Sequence, residues 1–244
     1  MPLYRTYKHG DLTVGVWKVD ETMEQLRSMF HHFSIYEEGF SRFTAEKRKQ
    51  EWLAVRVLLK ELCGEEKRIA YLPSGKPYLE DGSMHISFSH TKGYVAVAIH
   101  PFKEVGIDIE QYGTRVQKVA SRFIREDEQV SIASGDEVYG LLLHWSAKET
   151  LFKLMKEEAV DFVKHLHILP FQTQESGTFQ ACEYRSGQGK QFHIHYHTHP
   201  DYVLTFASLD RLDLGELSGD GLVHQLTYFL VRFSMPKQEH QLGD

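Results

Sequence analysis

Met84-His85-Ile86-Ser87-Phe88-Ser89-His90-Thr91-Lys92-Gly93-Tyr94-Val95-Ala96-Val97-Ala98-Ile99 reads as a β-hairpin. Ile86 and Phe88 alternate with polar neighbours, Thr91-Lys92-Gly93 supplies the turn, and Tyr94 to Ile99 is rich in β-forming residues. A second copy follows 108 residues later: His193-Ile194 repeats His85-Ile86, Tyr202-Val203 repeats Tyr94-Val95, and Tyr196 stands where Phe88 does. A helical pattern also repeats, at a spacing of 93, with Trp52, Ala54, Leu58 and Lys60 returning as Trp145, Ala147, Leu151 and Lys153. Each half thus reads as a helix followed by a hairpin, and such repetition decides the fold. The expectation is an α+β protein of two similar lobes with a cleft between them, residues 1–103 and residues 104–244.

The composition agrees with a globular chain of that size. The 244 residues are 41% hydrophobic and 25% charged, which excludes a disordered or low-complexity chain. The formal net charge of -6 argues against a basic nucleic-acid binder. Two cysteines, Cys63 and Cys182, with no CxxC spacing give no disulfide framework. Met1–Gly10 has no apolar core of a secretory signal, and no apolar run approaches the ~20 residues of a membrane span. The expected location is cytoplasmic, with no membrane partner.

The remaining elements follow from periodicity and punctuation. Asp20 is read as the cap of a helix to about Phe33, on which Met23, Leu26, Phe30 and Phe33 share a face. A longer helix is read from Thr44 to Leu62 and stops at Gly64. Leu72-Pro73-Ser74-Gly75-Lys76-Pro77 is a turn, Val105–Glu110 a strand, and Val116 to Ile124 a third helix. A fourth helix runs from about Gly140 through Met155, and Phe192–Ser208 is the second hairpin. The tail 236–244 is read as polar and frayed.

Two segments carry candidate chemistry. On the strand Val105-Gly106-Ile107-Asp108-Ile109-Glu110, residues two apart point the same way, so Asp108 and Glu110 share one face. Adjacent carboxylates repel unless a cation lies between them or one is protonated, and oxygen-only ligands suit Mg²⁺ or Mn²⁺. A solvated strand end would show the same two acids. In Trp145-Ser146-Ala147-Lys148-Glu149-Thr150-Leu151-Phe152-Lys153, Glu149 and Lys153 share a helix face and could equally be an ordinary surface pair. P-loop, zincin, α/β-hydrolase and dinucleotide signatures are absent.

Taken together, VGIDIE followed about 35 residues later by WSAKETLFK resembles the signature of the 4′-phosphopantetheinyl transferases, a G-[IV]-D-x-E strand and a helix bearing W-x-x-K-E-[AST]. Gly75-Lys76-Pro77 matches the family's G-K-P turn, Ser87-Phe88-Ser89-His90 resembles its S-H strand end, and Thr44–Leu62 looks like its first-lobe basic helix. The length resembles the Sfp-like, two-lobed branch, whose members are expected as monomers. Thr150 stands where Ala is usual.

The resemblance implies transfer of 4′-phosphopantetheine from coenzyme A to a serine of an acyl or peptidyl carrier protein, with release of 3′,5′-ADP. It implies Mg²⁺ or Mn²⁺ on Asp108, Glu110 and Glu149, with Glu149 taking the serine proton and Lys153 serving the departing phosphate. Lys47, Arg48, Arg56, Lys76, Pro77, Ser89, His90 and Lys148 are implied in holding coenzyme A, with Arg48 and Arg56 on its 3′-phosphate. Arg115, Lys118, Arg122 and Arg125, spaced 3, 4 and 3, are read as one basic helical stripe for an acidic carrier. Three other readings stand beside this one. They are an inactive coenzyme A or carrier-binding module, a metal-dependent nucleotide phosphohydrolase, and a transition-metal site at His193, His195, His197 and His199. For those histidines a structural role is expected.

Overall fold

Tyr94–His100 is buried at all seven positions because it is covered on both faces. The structure, a computed structural model, describes residues 4–132, 136–155 and 159–209. The 236–244 tail lies outside them. The strands in chain order are β1 (Arg5–His9), β2 (Leu12–Lys18), β3 (Ile69–Tyr71), β4 (Pro77–Leu79), β5 (His85–Thr91), β6 (Tyr94–His100), β7 (Val105–Gln111), β8 (Leu166–Ile168), β9 (Ser176–Glu183), β10 (Lys190–Thr198) and β11 (Tyr202–Ser208). The helices are α1 (Met23–Ser28), α2 (Glu37–Ser41), α3 (Glu46–Cys63), α4 (Val138–Leu154) and α5 (Phe162–His165). Short 3₁₀ segments span Phe33–Tyr36 and Thr114–Arg122. The class is α+β.

One sheet has the order β1-β2-β6-β5, a second β7-β11-β10-β9-β8, and β3 pairs with β4. All pairings among these described strands are antiparallel. The three-strand run β2-β6-β5 has the same order and connectivity as β7-β11-β10, each with its long helix after the first strand. The registers agree residue by residue. Val14 pairs with Ala98 and Ile107 with Phe206, so the first strand keeps the helix offset of 93 and the hairpin strand keeps 108. Gly15 therefore takes the place of Asp108, Trp17 that of Glu110, and Arg56 that of Glu149.

The two sheets pack against each other through Leu12, Val14, Val16 and Tyr94 on one side and Ile107, Ile109, Tyr202 and Phe206 on the other. Helix α3 covers the far face of the first sheet and α4 that of the second. With Ile107 and Ile109 turned to the inter-sheet core, Asp108 and Glu110 must face α4. Helix and strand approach closely there. A Cβ on Gly106 would collide with the Thr150 carbonyl oxygen, so this position of the strand admits only glycine.

Several boundaries differ from the periodic reading. Thr22, not Asp20, caps α1, through a reciprocal box with Gln25. Asp20 pairs with Lys18 instead. Ala45 precedes α3 with no side-chain cap, whereas Gly64 ends it in the left-handed region at φ 75°. The stretch after β7 is 3₁₀, at about three residues per turn, so the α-helical stripe does not form. Arg115, Lys118 and Arg122 are exposed. Arg125 lies beyond the segment and is committed to Asp127 at 2.8 Å and to the carbonyls of Val163 and Lys164.

Candidate active site

Helix α4 is fastened over β7 at two points. The Trp145 indole N–H donates to Glu110 Oε1 at 2.8 Å, and Lys153 Nζ donates to the Ile107 carbonyl at 2.7 Å and to Asp108 Oδ1 at 3.0 Å. Trp145, Glu149 and Lys153 succeed one another at intervals of four and share a face. Glu149, 2% exposed, is therefore bracketed between the two strand carboxylates. Asp108 is fully buried and receives a further bond on Oδ1, from Ser89 Oγ on β5 at 2.9 Å. The serine crosses from the first sheet, so the acidic strand is held from both halves of the molecule.

A hydroxyl cluster unmarked by any sequence pattern completes the joint. Thr205, the cross-strand partner of Asp108, lies 2.9 Å from Ser146 Oγ and 2.7 Å from Thr150 Oγ1. Ser146 also donates to the Asp108 carbonyl at 3.3 Å. Thr150 thus has a polar partner that alanine would lack.

Lys148 lies apart from these contacts on the same helix. It is fully buried on the side of α4 away from the carboxylates, and its ammonium donates to Glu128 and to the Phe123 and Phe162 carbonyls at 2.9, 2.6 and 3.1 Å. Glu128 in turn accepts from the Ile168 and Arg125 backbone N–H groups at 2.7 and 2.9 Å. Burial pushes the Lys148 pKa down, against the opposing pull of Glu128. This lysine ties the 3₁₀ segment, α5 and β8 to α4, and all its donors are spent there.

The candidate coenzyme A residues of the first half fall in four places. Arg48 Nη1 donates to His90 Nε2 at 2.8 Å and to Glu51 Oε2 at 3.2 Å, and His90 Nδ1 lies 3.5 Å from the same carboxylate. A guanidinium only donates, so Nε2 is the acceptor and the imidazole proton sits on Nδ1, facing Glu51. Arg56 is separate. Only 4% exposed, it lies 3.2 Å over the Trp52 ring with Nη1 on the Trp52 carbonyl, and desolvation pushes its pKa down. Lys76 pairs with Glu104 at 2.7 Å, and Pro77 is buried in β4. Lys76, Pro77, Ser87, Phe88, Phe152 and Lys153 line one cleft between the halves. Lys47 is exposed on the first turn of α3. Glu51 and Glu104 went unremarked in the sequence, and Glu51 sits at i+3 from Arg48, where a helix pair could be suspected.

The histidine run has structural surroundings. His197 stacks on Tyr7 at 3.7 Å, His195 lies 4.1 Å from His9 and stacks on Phe206, and His199 stacks on Tyr202 at 4.5 Å. Burial chiefly, with nearby positive charge, holds His195 and His197 down to about 4.

A hard divalent cation suits an all-carboxylate donor set, but the arrangement does not fit one as it stands. Among the described residues no three acidic, histidine or cysteine side chains converge as a metal-holding group. Asp108 has the Lys153 ammonium as its counter-charge.

Residues 104–207 match the family model described as ACPS, the 4′-phosphopantetheinyl transferase superfamily. The match runs from the residue before β7 to the end of β11 and so contains Asp108, Glu110, Glu149 and Lys153. It supports a phosphopantetheinyl transferase. It leaves out α3, the Lys76 turn and His90. No curated protein matches the chain. Among the described residues no helix is long and apolar enough to cross a membrane.

Proposed function

We propose that the chain is a holo-carrier-protein synthase that moves 4′-phosphopantetheine from coenzyme A to a carrier serine, releasing 3′,5′-ADP. The observation that carries this reading is the pairing of β7 with α4, Trp145 on Glu110 and Lys153 on Asp108, within the segment that matches the superfamily. It makes one surface of two motifs 35 residues apart. The repeated strand–helix–hairpin supports a two-lobed, Sfp-like pseudo-dimer divided near residues 103 and 104, acting as a monomer. Gly15 and Arg56 in place of Asp108 and Glu149 would leave the first lobe without an acidic site, so one centre per chain is expected.

In the proposed reaction the serine hydroxyl oxygen attacks the phosphorus attached to pantetheine, and the bond from that phosphorus to the oxygen of the 3′,5′-ADP moiety breaks. Glu149 accepts the hydroxyl proton, since serine is a poor nucleophile at neutral pH. Lys153 offers its ammonium to the departing phosphate, where a positioned cation stabilises developing charge. Arg48 and Lys76 present donors to the coenzyme A phosphates, with Lys47 at the margin, His90 joins them once its Nδ1 proton turns from Glu51, and Arg56 reaches the 3′-phosphate once it leaves Trp52. Ser89 holds Asp108, and Pro77 shapes the cleft wall. Mg²⁺ or Mn²⁺ would neutralise the pyrophosphate. Arg115, Lys118 and Arg122 are proposed to meet an acidic carrier. A cytoplasmic location accords with the carriers.

The alternative, an inactive coenzyme A-binding module, would retain nucleotide affinity without transfer. Incubation with coenzyme A, Mg²⁺ and the host's apo-carriers separates the two, because only the enzyme leaves a carrier with added phosphopantetheine.

A further inference from the structure

The two sheets meet along two joints that the repeat relates to each other. At the first, β7 lies beside β5, with Ser89 Oγ donating to Asp108 at 2.9 Å and Thr91 Oγ1 accepting from the Gln111 N–H at 3.0 Å. The spacing of 108 carries Ser87, Ser89 and Thr91 onto His195, His197 and His199, so the histidine run is the counterpart of that face of β5. The counterpart of β7 is β2, but at this second joint an additional strand intervenes. β1 is paired along the edge of β2 from Arg5 to His9, whereas β7 is itself the edge of its sheet. Tyr7 and His9 project on the same side as their partners Val14 and Leu12, toward the inter-sheet core. There Tyr7 stacks on His197 at 3.7 Å, His9 lies 4.1 Å from His195, and the Tyr4 hydroxyl is 3.1 Å from His199 Nε2. Arg5, Thr6, Lys8 and His9 are otherwise exposed, and the turn into β2 passes through Gly10 at φ 58°.

The groups around this layer are basic or neutral with one exception. β1 brings Arg5, Tyr7 and His9, β10 brings His193, His195 and His197, and β11 and β6 bring Tyr202 and Tyr94. From β9, Thr178 Oγ1 lies 3.1 Å from His195 Nδ1. The acid beside them, Asp201, accepts the Tyr94 hydroxyl at 2.7 Å and lies 3.9 Å from His199. Protonating His195 or His197 therefore sets a cation against Arg5 and His9 on the strand above, with Asp201 already engaged.

We propose that β1 is a strap across the second joint, and that protonation of the histidine layer beneath releases it on the Gly10 hinge while the β2-β6-β5 ladder stays folded. The proposal is independent of the transferase reading, since no residue of the strap or its seat belongs to that site. The strap is closed at neutral pH, where both imidazoles are neutral. Its closure weakens as pH falls from about 6.5, the value of a free imidazole, to about 4, the value held under β1.

The test is backbone hydrogen exchange of the full chain, read by mass spectrometry as protection relative to the intrinsic rate at each pH. Arg5–His9 should be protected at pH 7.5 and lose at least about tenfold of that protection by pH 4, while Tyr94–His100 keeps its own. Protection of β1 that does not change with pH, or that falls together with that of β6, overturns the proposal. The double variant His195→Phe, His197→Phe should keep β1 protected at pH 4, and release of β1 as in the unaltered chain overturns the role of the histidines. A further measurement needs no variant. The imidazole resonances of His195 and His197 should titrate over the same pH interval in which β1 opens, and titration outside that interval overturns the proposal.

Discussion

Lys148→Met separates a structural lysine from a phosphate-binding one. The substitution keeps a long side chain but removes an ammonium with no solvent exposure from three acceptors. Glu128 would keep the Arg125 and Ile168 N–H donors and lose its only buried cation partner among those contacts. Breaking a buried ion pair by removing one partner costs about 3–5 kcal/mol, a loss of roughly two to three and a half powers of ten in the folding constant at 1.4 kcal/mol per tenfold. The Phe123 and Phe162 carbonyls would each lose a donor, which adds to the cost. Adding Glu128→Gln should recover part of the loss, because no buried charge then stands alone. Urea unfolding of the two single variants and the double variant measures the coupling. Unaltered stability in Lys148→Met together with a raised KM for coenzyme A would refute the structural assignment.

Three further outcomes follow from the same geometry. Arg48→Ala and Arg56→Ala should weaken coenzyme A binding by roughly 1.5–3 kcal/mol each and barely touch dephospho-coenzyme A, as measured by calorimetry. Equal weakening of both ligands would remove these arginines from the 3′-phosphate. His195 and His197 are held to about 4, below the ordinary value of 6.5, so the unfolded chain takes up protons first as pH falls. Their contribution to stability is full above about 6.5 and is lost as pH drops through about 4, and replacing both with Phe should flatten a melting curve series across that window. Reversing Arg115 and Arg122 to Glu should raise KM for an acidic carrier at low salt and leave coenzyme A affinity unchanged, whereas an unaltered carrier KM would exclude that docking face.

The two hairpins, both long helices and the acidic strand were legible because each carries its pattern within a few residues. β2 is legible too, since Leu12, Val14 and Val16 alternate just beyond the charged stretch Met1–Gly10. That strand extends the repeat from the helix to the strand before it. The 3₁₀ geometry of Thr114–Arg122 was not legible, because Val116, Val119 and Ala120 suit either helix type. The surroundings of Lys148 are hidden for a different reason. A lysine beside a candidate catalytic glutamate suggests phosphate, and only the arrival of Glu128 from 20 residues upstream and of two carbonyls explains it. Ser89, Thr205 and Glu104 act through contacts between distant segments, which spacing along one strand or helix cannot reveal.

The central claim is that β7 and α4 form a phosphopantetheine-transferring centre. Its most direct test is intact-mass analysis of an apo-carrier after incubation with the purified chain, coenzyme A and Mg²⁺, run beside Glu149→Ala. The account predicts a carrier heavier by one phosphopantetheine at its serine, equimolar 3′,5′-ADP, and almost no product with the folded Glu149→Ala chain. Near-normal transfer by Glu149→Ala would contradict the assignment of that carboxylate, and an unmodified carrier across the host's own set, with coenzyme A still bound, would contradict the account itself.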